Sequence, residues 1–270
     1  MRKSICGLIA VVLFGLTGSA LVAVGAVGGH SHPAQAKAAV AAAPVAPAAP
    51  AADSTIQAAT DVAAVNLAAG TTQLASPKDA SIGLIYFDHP WGQVAGSVSG
   101  TTWGGPTARP IIKTQNGWVQ IRLDSRPNAS TGWVYRSDVN ITTTNYRIVI
   151  SVGQRNLTLF QNNLPVYSAP VGVGRPQWPT PLGPSFIDAV VSVPARQQRI
   201  YGPTALITAT HSNVFTEFDG GDGTVAIHAY PSDPASTRGV MSSHGCVRVS
   251  PQTIDAISMV PAGTPLDIVA

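Results

Sequence analysis

The 270-residue sequence predicts a mostly β protein, built as two successive all-β regions behind an apolar leader and a flexible tether. Three observations carry that expectation. Residues 79–143 read as short strands broken by turns, and from Tyr146 onward turn signals recur about every ten residues, as in sandwiches and barrels. The best short helix is "SPQTIDAISMV", with Ser250 as N-cap and Ile254, Ile257 and Met259 as its apolar positions. Through Pro77 the Ala/Pro-rich segment shows no sustained amphipathic period, with 56–69 ("IQAATDVAAVNLAA") open to a weak helix.

In chain order, residues 1–28 come first. Arg2 and Lys3 precede an almost uncharged apolar run from Ile5 to Val27, the pattern of an export signal. Two outcomes stay open: cleavage after Ala36, in the small-x-small stretch "AQAKA", or retention as a membrane anchor with Arg2 and Lys3 on the cytoplasmic side. Either outcome puts the rest of the chain outside the cytoplasm, in the cell wall or periplasmic space, secreted or anchored. Residues 29–78 are rich in Ala and Pro; repeated prolines prevent a continuous helix and favour extended chain, so the segment reads as a linker. His30 and His32 lie there without further ligands and do not form a metal site.

Within residues 79–143 the clearest piece is "RPIIKTQNGWVQIRL". Asn116-Gly117 between two β-rich runs is a strong signal for a tight hairpin. Val119, Ile121 and Leu123 then alternate with Trp118, Gln120 and Arg122, so that one set faces a core. Trp118 and Trp133 have two readings, a binding groove or packing, and packing is the better supported. Residues 145–270 open with three strand-like runs, 147–152, 157–161 and 166–173. A constrained Pro-rich loop, "WPTPLGPSFI", leads into a strand near Phe186. "TALITATHSN", "GTVAIHAY", "GCVRVS" and "TPLDIV" supply the remaining strands.

Composition excludes several functions. A formal net charge of +3 suits an anionic surface such as a cell wall, but without a dense Lys/Arg patch it does not indicate nucleic acid. No phosphate loop, dinucleotide fingerprint or Cys-pair metal site is present, and no cofactor is expected. Of the two cysteines, Cys6 lies in the leader, which leaves Cys246 as a lone thiol.

A buried cysteine is often only a small hydrophobe. Here the neighbours Ser243, His244, Gly245 and Arg248 are polar or conformationally permissive, which argues for reactivity. A thiol needs a basic or cationic neighbour to become a useful nucleophile. Three histidines are candidates: His211 in "TATHSN", His244 two positions from the thiol, and His228 at the end of the strand "VAIHAYP". His228 fits best, because a rigid element presents its ring accurately.

His228, fourteen intervening residues, then Ser243-His244-Gly245-Cys246-Val247-Arg248 is similar to the signature of the L,D-transpeptidase (YkuD-type) catalytic domain. "IVISVGQRNLTLFQNNLPVYSAPVGVG", "PTPLGPSF" and "AGTPLDIV" resemble the family's opening strands, Thr-Pro-x-Gly loop and final strand. Residues 145–270 are thereby identified as resembling that family. "NGWVQIRL" and "GWVYRSDV" resemble bacterial SH3-like small barrels, over residues 79–143.

The resemblance implies a β-sandwich catalytic domain with one or two short helices behind a small barrel. It implies cross-linking of peptidoglycan stem peptides, with a tetrapeptide donor, a diamino-acid acceptor and release of terminal D-alanine through a Cys246 thioester. Cys246 is then the nucleophile, and His228 its base or ion-pair partner. His244, Gly245 and Ser243 shape the site, with main-chain N–H groups near Gly245 and Cys246 as the oxyanion hole. Two departures matter. Ala229 stands where many members have Gly, Ser or Thr, so a main-chain carbonyl must orient His228. Arg248 stands where some have Asn; it either holds a substrate carboxylate or forms a structural salt bridge. Tyr201 and Trp178 are candidate cleft walls. Two other readings stay open: a carboxypeptidase or thioester hydrolase of the same fold, and a non-catalytic wall-binding protein.

Overall fold

The computed structural model describes residues 60–61, 70–218 and 220–270. The leader and most of the linker lie outside the described residues, and with them Arg2, Lys3, Cys6, His30, His32 and Ala36. The rest is mostly strand, as expected from the turn spacing.

In the first region the strands are β1 (Thr60–Asp61), β2 (Thr72–Pro77), β3 (Leu84–Phe87), β4 (Val94–Val98), β5 (Thr101–Thr102) and β6 (Gly105–Pro106). They continue as β7 (Arg109–Gln115), β8 (Trp118–Arg122), β9 (Thr131–Tyr135) and β10 (Val139–Thr144). The sheet order is β10-β2-β7-β8-β9-β3-β4, with β1 on β7 and β5–β6 as a separate hairpin. Asn116 and Gly117 turn β7 into β8 with φ of 45° and 83°, the left-handed pair that a tight hairpin requires. Val119, Ile121 and Leu123 face a core with Leu84, Ile111, Val134 and Val139.

Two local differences from the sequence reading have physical causes. Strand β2 lies inside the stretch read as linker. Its Ala, Ser and Pro residues look tether-like, yet Leu74 and Ala75 are buried and the strand pairs along its length with β10. Trp118 lies opposite Val119 in the pleat but is buried all the same, among the rings of Phe87, Trp91 and Tyr135. Trp133 is buried too, so both tryptophans are packing residues.

The second region contains β11 (Tyr146–Ser151), β12 (Asn156–Gln161), β13 (Leu164–Pro170), β14 (Val173–Gly174), β15 (Gly183–Ser192) and β16 (Thr204–His211). After these come β17 (Thr224–Ala229), β18 (Met241–Ser243), β19 (Val247–Val249) and β20 (Pro265–Val269). Its main sheet runs β13-β12-β11-β20-β15-β16-β17-β19. Gly172, just past β13, exchanges two main-chain hydrogen bonds of 2.8 Å with Arg248 of β19, which curls the sheet nearly to closure. A side chain at Gly172 would run into the Ser236 carbonyl, so only glycine allows this approach. The run read as 166–173 is thus split: β13 stops at Pro170, and Val173–Gly174 pairs with β18 beside the site.

Ile148, Ile150, Leu157, Leu206, Ile227, Val247 and Leu266 fill the core of this sheet. The helix Pro251–Ile257 covers one side, capped by the Ser250 hydroxyl, which accepts from the Thr253 N–H at 3.1 Å. Ile254 and Ile257 are buried. Met259 is not part of that face: the helix has ended, and the side chain is exposed.

The described residues of both regions fall in one compact unit, so the two regions pack on each other. Arg109 of β7 pairs through Nη1 with Asp188 of β15, and both are buried. The Thr102 hydroxyl donates to the same carboxylate at 2.8 Å.

Candidate active site

The site begins with a register. Strands β17 and β19 run parallel, with Ile227 opposite Val247, His228 opposite Arg248 and Ala229 opposite Val249. One step back along both chains, the Ala226 N–H points at Cys246 Sγ, at 3.5 Å. Alternation along β17 puts Ala226 and His228 on one face, so the imidazole and the thiol share that face of the sheet.

Cys246 is the free cysteine among the described residues and is partly buried. Burial pushes its thiol pKa up, while the Ala226 N–H and the Arg248 charge work in the opposite direction. His228 is buried, and its Nδ1 lies 2.6 Å from the Ala229 carbonyl oxygen. A main-chain carbonyl therefore orients the ring where Ala229 offers no hydroxyl of its own. Tyr201 abuts the imidazole edge-on, with centroids 4.9 Å apart. Burial takes the His228 pKa down to about 4, with Arg248 adding to the effect against the Ala229 hydrogen bond. At neutral pH, then, the imidazole is neutral and the thiol protonated. Of the two roles open to His228, this environment favours base over resting ion-pair partner.

The turn before Cys246 is tied together by hydroxyls. The Ser243 hydroxyl donates to the Cys246 carbonyl at 2.6 Å and accepts from the Gly245 N–H at 3.0 Å. Gly245 has φ of 125°, a conformation that side chains rarely adopt. Its N–H is therefore already engaged, which removes it from the expected pair of oxyanion donors. The Gly245 carbonyl accepts from Thr180 Oγ1 at 2.8 Å, and that same oxygen accepts from the Gly174 N–H at 2.9 Å. Thr180 belongs to the Pro-rich loop and is buried, so the loop holds the turn that presents the thiol.

His244 is unlike His228. It is exposed and stacks on Trp178, with centroids 4.2 Å apart and rings inclined by 27°. Phe218 and Phe215 flank it at 5.5 and 6.2 Å. Desolvation by these neighbours, then the charges of Arg175 and Arg248, lower its pKa. Trp178 thus packs on His244, whereas Tyr201 packs on His228.

Arg248 makes no salt bridge among the described residues. Its guanidinium lies 4.0 Å from the centroid of the Tyr230 ring, and Nη1 donates to the Ser242 carbonyl at 3.3 Å. It is half-buried, with a buried Nε that has no hydrogen-bond partner among the described residues. The salt-bridge alternative therefore has no carboxylate to support it. His211 does not join the site as a base. Its Nε2 hydrogen-bonds Asp124 at 3.0 Å, and the Asp222 carboxylate lies 3.2 Å from Nδ1 without hydrogen-bond geometry.

Residues 145–268 match the YkuD family model, described as the L,D-transpeptidase catalytic domain, and that span contains every residue of the site. Among solved structures, an L,D-transpeptidase from Mycobacterium smegmatis aligns at 18% identity, covering 57% of this chain and 91% of that one, with a TM-score of 0.37. L,D-transpeptidase 3 from Mycobacterium tuberculosis, in complex with a faropenem-derived adduct, aligns at 14% identity over 57% and 91%, with a TM-score of 0.40. Bd1075 from Bdellovibrio bacteriovorus aligns at 27% identity over 46% and 48%, with a TM-score of 0.35. No curated protein matches the chain in sequence. All three TM-scores lie below 0.5, and the family model matches residues 145–268 alone, a little under half of the chain.

Proposed function

We propose that this protein is a peptidoglycan L,D-transpeptidase that joins stem peptides through a Cys246 thioester. The observation that carries the reading is the register of β17 and β19, which sets a thiol beside the Ala226 N–H and a neutral, carbonyl-anchored imidazole two residues further along β17. It acts outside the cytoplasm, where its substrate lies, delivered by residues 1–28.

The chemistry follows from the protonation states. With Nδ1–H donating to the Ala229 carbonyl, Nε2 of His228 is the acceptor for the thiol proton. Sulfur attacks the carbonyl of the donor's diamino acid as that proton moves, forming the S–C bond. The Cys246 N–H, left over once Gly245 is engaged by Ser243, faces the developing oxyanion. Collapse breaks the bond to terminal D-alanine, and the proton on His228 passes to the leaving amine. The amine of a second stem then attacks the thioester. Its proton goes to His228 and returns to sulfur as the amide forms, so the thiol is regenerated. Arg248, tethered at Nη1 with Nε unpartnered, binds a carboxylate of the substrate.

The test incubates the full-length protein with disaccharide-tetrapeptide and examines the products by mass spectrometry. A dimer lacking one D-alanine is the expected product; tripeptide alone identifies a hydrolase. Cys246→Ala is expected to abolish both products, and full activity in that variant sinks the mechanism.

A further inference from the structure

Phe215 and Phe218, which flank His244, lie in the irregular segment Ser212–Gly223 between β16 and β17. Within the segment, the Ser212 N–H donates to the Gly223 carbonyl at 2.9 Å and joins its two ends. The Ser212 hydroxyl accepts from the N–H groups of Val214 and Phe215 at 3.2 and 3.0 Å, and Phe218 and Gly221 bond each other. Much of its support comes from the other sheet. Arg126, in the turn between β8 and β9, donates from Nη1 to the Ser212 carbonyl at 2.6 Å. From Nη2 it donates to the carbonyls of Phe215 at 2.9 Å and Asp222 at 2.6 Å. One guanidinium thus ties the start, the middle and the end of the segment. Two residues on, Asn128 accepts from the His211 N–H at 2.8 Å and donates to the His211 carbonyl at 2.7 Å.

We infer that the Asp124–Asn128 turn is a positioning element for the aromatic wall of the site, with Arg126 as its central residue. The physical case is specific to arginine. Three carbonyl oxygens converge on one point, and their like partial charges separate unless several directed N–H donors meet them. A planar guanidinium supplies five donors in a fixed fork, and charge-assisted bonds are the strong ones. A lysine offers one flexible point charge. Arg126 does not touch the thiol, so it acts through Phe215 and Phe218 on the ring of His244. This rests on the proposed function only in taking that wall as a place where substrate binds.

The experiment compares full-length wild type, Arg126→Ala, Arg126→Lys and Asn128→Ala by hydrogen–deuterium exchange and by donor kinetics. Arg126→Ala is expected to speed exchange in 212–223 while leaving β11 and β12 unchanged. It is also expected to raise KM for the tetrapeptide donor about tenfold with a smaller change in kcat, as for lost substrate positioning. Arg126→Lys recovers part of both effects. Exchange and KM within about twofold of wild type in Arg126→Ala overturn the inference. If Arg126→Ala does not fold, Asn128→Ala decides by the same two readouts. If wild type makes neither cross-linked product nor tripeptide, the functional reading fails instead, and exchange in 212–223 alone decides the role of Arg126.

Discussion

The strand side and the loop side of this site hold the two histidines of one motif in opposite environments. On the strand side, His228 is buried, fixed by the Ala229 carbonyl and closed in by Tyr201. On the loop side, His244 is exposed and held by ring stacking against Trp178. Identical side chains thus receive different tasks from their surroundings. Burial keeps the first imidazole neutral, the state the proposed proton acceptor needs, while aromatic contact makes the second part of a surface. The strand side is rigid because main-chain ladders define it, and the loop side is only as well defined as the side chains that brace it.

The sharpest way to break that comparison is to mutate each histidine in turn. His228→Gln removes the proton acceptor, and loss of a positioned general base typically costs about 100–10,000-fold in rate. His244→Gln is expected to lower kcat/KM by about tenfold or less, mostly through KM, because it removes contact area and no proton acceptor. Steady-state kinetics on the tetrapeptide donor separate the two. Equal losses in kcat would mean that both imidazoles take part in proton transfer, and the division of labour drawn here would be wrong.

A second test uses pH. The folded pKa of His228 lies near 4, below its unfolded value near 6.5. Between those values the unfolded chain binds a proton at this residue and the folded chain does not. Stability therefore falls as pH drops through that window, by up to about 3 kcal/mol from this group. Above about pH 6.5 the contribution vanishes, since neither state is protonated. Denaturant melts of wild type and His228→Gln at pH 7 and pH 4.5 check this: wild type should lose more stability than the variant. By the same reasoning the acid limb of kcat/KM should fall near pH 4 rather than near 6.5. A limb near 6.5 would contradict the buried, neutral imidazole.

What was legible in the sequence divides along the same line. Asn116-Gly117, the Ser250 cap and the strands around His228 and Cys246 depend on local chemistry or short periodicity, and a linear sequence displays those directly. Thr180, Phe215, Phe218 and Arg126 depend on contacts between residues far apart in the chain. Three of the acceptors that Arg126 meets are main-chain carbonyls, which carry no residue-specific signal at all. His211 was a fair candidate base for the opposite reason. Its "TATHSN" context shows a strand-end histidine but not Asp124, which arrives from the other sheet and occupies the ring. Strand β2 escaped notice because Ala, Ser and Pro fit a tether equally well, and only its pairing with β10 distinguishes the two.

The smallest expected effect concerns the loop side by itself. Trp178 lies between Arg175, whose guanidinium is 5.8 Å from its ring centroid, and His244 at 4.2 Å. An aromatic pair of this kind contributes about 0.5–1.5 kcal/mol beyond its area. Trp178→Leu keeps much of the volume but loses the flat face, so the His244 ring gains freedom while the Thr180 bond that supports Gly245 stays intact. The expected result is a rise in donor KM of roughly three- to tenfold, with kcat and the acid limb near pH 4 unchanged, as for lost ground-state binding. The unchanged acid limb is the informative part. If it moved, the stack would be coupled to the protonation of His228, and the two sides of the site would form one electrostatic unit; if only KM moves, the loop side contributes shape while the strand side alone sets the proton chemistry.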